Sequence, residues 1–332
     1  MKKYYLYIVL TFVLNLNLFA QIEFGLNWAK TFETNTTSSI SANIDNDGNL
    51  FMHGAFAGQV DADPSNGTYY LPKEISDPSH YIVNLNNNGQ FKSAYEFEIG
   101  VGILFHGEVQ NGTYIAGNFN GEVNLNPFNR NDKTKGVGRS EAFLQRIDDK
   151  NVLWKQYTQG TGNAQTYTTS FCGSKNGEFY WIGKFMGVVG FDMDSSKTYL
   201  QSDGSGWDIF IMQLDSNGHM NWLKQISGEM VDGIGAVGNN GNLTILGKFS
   251  GDKIDANPGI GKYEITPQND WDIFYVQLNG KGKFEFAGHI TGPSYEMWND
   301  IKIASDGSIY MAGVYDGKTD FNPSPTETYY LN

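Results

Sequence analysis

Oxygen side chains spaced two residues apart recur at a fixed place in this sequence, and carboxylates so placed on a turn are what Ca²⁺ takes. The copies read Asp61-Ala62-Asp63-Pro64, Asn124-Leu125-Asn126-Pro127, Gly190-Phe191-Asp192-Met193, Asp255-Ala256-Asn257-Pro258 and Asp320-Phe321-Asn322-Pro323. Asp61, Asp63, Asp255 and Asp320 are the candidate ligands. Asn replaces Asp freely, however, and the third copy lacks the proline. A full calcium loop needs more oxygens, while Asp, Asn and Pro are also ordinary turn residues. The turn reading outweighs the metal reading. No cofactor is expected, with Ca²⁺ the one exception the pattern admits.

Tyrosines follow these acids. Tyr69-Tyr70 and Tyr329-Tyr330 occupy matching places, with Tyr199 and Tyr263 nearby in other copies. Loop tyrosines can stack on a sugar ring or anchor a protein, so an unknown protein or polysaccharide is the expected partner. The competing reading packs each loop onto its own sheet, and repeated positions favour it. Other chemistry is thin. His53, His80, His106, His219 and His289 form no i, i+4 pair and no H-E-x-x-H, and there is no G-x-S-x-G elbow or phosphate loop. His53 stands where other copies have Ala116, Ile182, Leu246 and Ala312, so it reads as packed. No catalytic residue is assigned. Two carboxylates meeting in space for glycoside hydrolysis would escape a sequence reading.

What must position these residues is a repeat. Its clearest copy runs Gly241-Asn242-Leu243-Thr244-Ile245-Leu246-Gly247-Lys248-Phe249-Ser250-Gly251. The Gly-x-aromatic-x-Gly core recurs from Gly54, Gly117, Gly183, Gly247 and Gly313, in steps of 63, 66, 64 and 66 residues. A period of this length marks a repeat architecture. Each unit offers four strands with tight turns, such as Ser38–Ile44, Asn49–Phe56, Tyr81–Leu85 and Phe91–Phe97 in the first. The third strands Trp207-Asp208-Ile209-Phe210 and Trp271-Asp272-Ile273-Phe274 are nearly all apolar, as if covered on both faces. No 3.6-residue period appears outside the N-terminus, so helices should be scarce. The expected fold is an all-β propeller of four-stranded blades. Its repeats span approximately 38–100, 101–163, 164–229, 230–293 and 294–332, about five blades. The last is incomplete, and the expectation is a piece of a longer chain. The surplus over an ordinary blade lies between strands two and three, as a loop or an extra hairpin. Gln21–Phe32 reads as a strand closing a unit whose head is elsewhere, because Asn27-Trp28-Ala29-Lys30 matches Asn221-Trp222-Leu223-Lys224.

Residues 1–20 read as a signal peptide: Lys2 and Lys3, an apolar run Tyr4–Leu14 too short to span a bilayer, and Ala20 before the cut. The mature chain, 21–332, is then secreted or held at the cell surface, with no transmembrane segment. Its single cysteine, Cys172, excludes an internal disulfide framework and reads as a small buried side chain. Thirty-six acids against 23 bases give a net charge of −13, which excludes nucleic acid as a natural partner.

The run Asp47-Gly48-Asn49-Leu50 through Gly54, Phe56, Gly58, Val60, Asp61, Asp63 and Pro64 resembles the repeat of secreted bacterial β-propeller proteins with SBBP-type repeats, common in Bacteroidetes. So does Asp208-Ile209-Phe210 through Leu214, Asp215, Gly218 and Trp222. The resemblance covers Phe24 to Asn332. It implies an exported propeller and no catalytic residues. The sorting domain that often ends such proteins is not in this sequence. The functional expectation is a non-enzymatic binding or surface-interaction module. A carbohydrate-active enzyme (glycoside hydrolase or lyase) is the alternative, and a structural spacer the third reading.

Overall fold

A computed structural model describes residues 27–331, except 33, 46, 72–78, 99, 110–111, 175–176, 192–197, 205, 229, 252, 269–270, 295, 305 and 323–326. Residues 1–20, read above as a signal peptide, and Phe24 lie outside the described residues. Every regular element described is a strand, paired antiparallel to its neighbours. No helix among the described residues is long and apolar enough to cross a membrane. The chain divides into two compact units, Met1–Glu108 with Val123–Lys133, and Val109–Glu122 with Thr134–Asn332.

In the first unit, Thr34–Ile44, Leu50–Asp61, Ser79–Leu85 and Phe91–Phe97 pair in chain order. The short strand Tyr70–Leu71 adds to the far end of the second. Leu50, Met52, Val60, Leu71, Val83 and Leu85 form the core beneath it. Residues 27–32 do not form the expected strand. Only Lys30 makes a bridge, because a strand needs a paired neighbour along its length.

The second unit repeats the same sheet. In repeat three the strands are Gln165–Gly173, Phe179–Met186, Asp208–Leu214 and Met220–Ile226. In repeat four they are Met230–Val237, Leu243–Ser250, Asp272–Leu278 and Phe284–Ile290. Repeat two contributes Gly112–Phe119, Glu141–Ile147 and Val152–Tyr157, paired in that order. Repeat five has Met297–Ile303 and Ile309–Val314 alone among the described residues. The surplus between strands two and three is a small hairpin. It pairs Val188–Phe191 with Thr198–Gln201, Ile254–Asp255 with Glu264–Ile265, and Thr319–Asp320 with Tyr330–Leu331.

Third strands are buried along their whole length in repeat three, which is why they read as nearly continuous apolar runs. Fourth strands lie at the edge and are partly exposed. Repeats three and four pack face to face. Ile209 and Ile182 lie over Gly233 and Gly235, where a Cβ would collide with them. Thr169 Oγ1 and Ser170 Oγ donate to the carbonyls of the same two glycines, at 2.5 and 3.1 Å. Ile182, Ile209, Ile211, Ile245, Phe249 and Phe274 belong to one core, each contributing ~1.5–3 kcal/mol by leaving water.

A tryptophan caps a turn glycine at three places. The Trp154 ring covers Gly218 in the turn of the next repeat, with Nε1 donating to Ser216 O at 3.1 Å. Trp222 covers Gly282 in the same way, with Nε1 donating to Gly280 O at 3.4 Å. In the first unit Trp28 covers Gly89 and donates to Asn87 O at 3.1 Å. Those turn glycines have φ of 84°, 72° and 72°, so the position excludes a side chain twice over, by backbone and by contact. Trp28 thus sits as the fourth-strand tryptophan of a preceding unit, the place that its match with Trp222 suggests.

Candidate functional site

The structure brings the candidate acids and candidate tyrosines together in pairs. Asp61 Oδ1 accepts from Asp63 N at 3.1 Å and Tyr69 N at 2.8 Å. Asp255 Oδ1 accepts from Asn257 N at 3.1 Å and Tyr263 N at 2.9 Å. Asp320 Oδ1 accepts from Asn322 N at 3.0 Å and Tyr329 N at 2.8 Å. In each hairpin the residue after the acid returns a bond to the tyrosine carbonyl, as Ala62, Ala256 and Phe321 do. Asp63 holds the next turn through Ser65 N at 2.9 Å. These carboxylates clasp their own loops, which is the work of Asx turns. Among the described residues no group of three or more His, Cys, Asp or Glu is placed to hold a metal ion.

The tyrosines divide. Tyr69 packs on Phe91, with ring centroids 5.1 Å apart, and Tyr263 on Phe284 at 5.6 Å. Each thereby fastens its hairpin to the fourth strand of its own sheet. Tyr70 is 50 % exposed and Tyr199 56 %, while Tyr329 and Tyr330 are both exposed, at 63 % and 47 %. Lys318 Nζ stands 4.2 Å from the centre of the Tyr330 ring.

A second constellation escaped the sequence reading. Glu141, Asp208 and Asp272 open the third strands of repeats two, three and four, and all are fully buried. Glu141 accepts from Val137 N, Gly138 N, Gly160 N and Thr158 Oγ1. Asp208 accepts from Asp203 N, Gln225 Nε2 and Gly228 N. Burial raises the Asp208 carboxyl above its ordinary pKa, against these bonds. Asp272 accepts from Gln268 N, His289 Nε2 and Thr291 Oγ1 at 2.9, 2.7 and 2.8 Å. Each acid therefore ties its strand to the chain leaving strand four. One charged residue recurring at one position of otherwise apolar strands was the available signal.

Glu296 breaks the repeat. Its N–H donates to Trp271 O, as Val231 N does to Trp207 O and Thr166 N to Ser140 O. Where those repeats have a valine and a threonine, repeat five has a fully buried carboxyl. Thr319 Oγ1 donates to Glu296 Oε1 at 3.0 Å, while Glu296 Oε2 and Asp272 Oδ1 have no ordinary donor. Burial and then the neighbouring Asp272 raise the Glu296 pKa above the ordinary carboxyl range. Glu296 also lines a cavity of about 260 Å³ with Ile273, Trp298, Gly313, Tyr315 and Phe321. A group with a raised folded pKa costs stability as pH climbs from its unfolded value through the folded one. Urea midpoints of the wild type should therefore fall as pH climbs above the ordinary carboxyl range, and Glu296→Gln should flatten that fall; equal slopes in the two proteins would refute the raised carboxyl.

His53 is buried, as expected of a packed side chain. His219 Nδ1 lies 3.2 Å from Asp215 Oδ2 on an exposed turn. Cys172 packs against the repeat three and four core, and burial pushes its thiol up to about 12, far from a thiolate nucleophile. No family model and no curated protein matches the chain.

Proposed function

We propose that the chain is a non-enzymatic, exported interaction module built on a β-propeller, and that its hairpin tyrosines contact the partner. The observation that carries the reading is the outward set Tyr70, Tyr199 and Tyr330, each about half exposed on the hairpin between strands two and three. Face-to-face packing of repeats three and four, with a core shared between them, supports the radial stacking of a propeller. The signal-like N-terminus and the resemblance to SBBP-type repeats support export. Rigid aromatic surface at low entropic cost suits a sugar ring or a protein anchor.

A glycan array and a pull-down with the mature chain test this. Tyr70→Ser, Tyr199→Ser and Tyr330→Ser together should weaken the captured ligand at least tenfold and leave the unfolding midpoint unchanged. Undiminished capture by the triple variant would overturn the reading. One observation favours the carbohydrate-active alternative, the Asp272–Glu296 pair beside a cavity. Glycan cleavage that Glu296→Gln abolishes would replace the binding module with that enzyme.

A further inference from the structure

Two half-buried tryptophans differ from the rest. Trp28, Trp154 and Trp222 give their N–H to a turn carbonyl, and Trp181 gives its own to Thr168 Oγ1. Trp298 Nε1 has no acceptor but is closed off from water. Trp207 and Trp271 are part-exposed, and their N–H groups have no acceptor among the described residues. They occupy the same place in repeats three and four, just before the buried acids Asp208 and Asp272. A second-strand lysine stands against each ring. Lys184 Nζ is 5.5 Å from the centre of Trp207, and Lys248 Nζ is 4.9 Å from that of Trp271.

In repeat three the protein completes this pair. The Tyr167 ring lies 5.5 Å from that of Trp207, and Asp232 Oδ2 holds Lys184 Nζ at 2.9 Å. Tyr167 stands opposite Lys184 in the first strand of its own repeat, and Asp232 is the matching residue of repeat four, opposite Lys248. Around Lys248 and Trp271 the same two places fall to Asp232 and, in repeat five, to Met297. The bonds from Val231 N to Trp207 O and from Glu296 N to Trp271 O fix that correspondence. Asp232 brings no ring, and its carboxylate is engaged by Lys184. Met297 brings no charge. Among the described residues the Trp271 ring is the one partner of the Lys248 ammonium. In repeat three the completing residues both come from first strands, and the first strands of repeats four and five are both described, so like places are being compared.

We propose that Trp271 and Lys248 form a subsite for a hexuronate residue of an acidic polysaccharide. Repeat three has, and repeat four lacks, a ring against the indole and a carboxylate on the ammonium. A hexuronate carries both on one pyranose. Its apolar C–H face lies on the indole in the place of Tyr167, and its carboxylate meets Lys248 in the place of Asp232. An ammonium on a flexible stem suits that carboxylate. The free Trp271 N–H favours a glycan over a tyrosine-bearing peptide, because a glycan surrounds the ring with hydroxyl oxygens that accept and a phenyl ring does not. The net charge of −13 opposes an acidic polymer only at long range, and physiological salt screens exposed charges beyond about 8 Å. The subsite is separate from the hairpin tyrosines and does not depend on their role.

Isothermal titration of the mature chain with trigalacturonate and trimannuronate tests this. At least one trimer should bind, and its uncharged methyl ester should bind at least tenfold more weakly. Met297→Asp gives Lys248 the carboxylate that Lys184 already has, and should weaken the trimer at least tenfold without lowering the unfolding midpoint. Lys248→Met should do the same, and decides the matter if Met297→Asp fails to fold. The variant lacking Tyr70, Tyr199 and Tyr330 should bind the trimer as the wild type does. No binding of either trimer, equal binding of the ester, or binding indifferent to both substitutions overturns the proposal. So does loss of binding in the tyrosine variant, which moves the ligand to the hairpins, or tighter binding of a blocked aspartyl-tyrosine dipeptide, which makes the ligand a peptide.

Discussion

Acidification from pH 7 to pH 4 is expected to unfold the first unit before the second. His53 and His106 are buried there, with Nδ1 of His53 and both ring nitrogens of His106 lacking a well-formed hydrogen bond. Burial, then the charge of His80, lowers His53 to about 4. Burial, then the charge of His53, lowers His106 to about 3, and the Met52 backbone offsets this only in part. A histidine whose folded pKa is depressed stabilises fully above its unfolded value and loses that contribution as pH falls through the folded one. The window therefore runs from about pH 6.5 downward. At pH 4 the loss is on the order of 3 kcal/mol for each ring, a large share of a marginal stability. Asp208 and Glu296, raised by burial, act with the opposite sign in the second unit. Urea unfolding at pH 7, 5 and 4 reads the effect. His53→Leu should blunt the acid loss, since Ile182 and Leu246 already fill its place in other repeats. A midpoint constant from pH 7 to pH 4 would dispose of the idea.

Glu141→Ala should cost about 3–5 kcal/mol, as expected when one partner of a buried charged network is removed. Its oxygens take three backbone N–H groups and the Thr158 hydroxyl, all part-buried or buried. Alanine leaves those donors without acceptors, each costing ~1–3 kcal/mol where water cannot reach it. Glu141→Gln keeps one carbonyl acceptor and should lose less than half as much. The comparison by chemical denaturation separates charge from connectivity. A loss below about 1 kcal/mol for Glu141→Ala would mean that the loop leaving strand four is held by something else.

Much of the sheet plan was readable because its cues are local. Gly48, Gly218 and Gly282 each take a φ that few side chains allow, at 80°, 84° and 72°, and the strand Phe91–Phe97 falls where the turn Asn87-Asn88-Gly89 put it. Of the tyrosines, Tyr69 packs on Phe91 as the repeat reading has it, while Tyr70 is exposed. The buried acids were illegible because their partners lie far along the chain. Gly160 reaches back 19 residues to Glu141, and Gly228 reaches back 20 to Asp208. An aspartate within Trp-Asp-Ile-Phe looks like an interruption until the folded chain supplies its donors. Glu296 was harder still, since only register with Val231 and Thr166 shows that a carboxyl stands where those repeats have none.

Because the indoles of repeats two and three rest on the glycine bends of repeats three and four, these two joints use the same pair of residues. Excising residues 155–222 would carry Trp154 to the bend at Gly282 that Trp222 now covers. At these joints a whole unit can be gained or lost by recombination with the same seam re-formed.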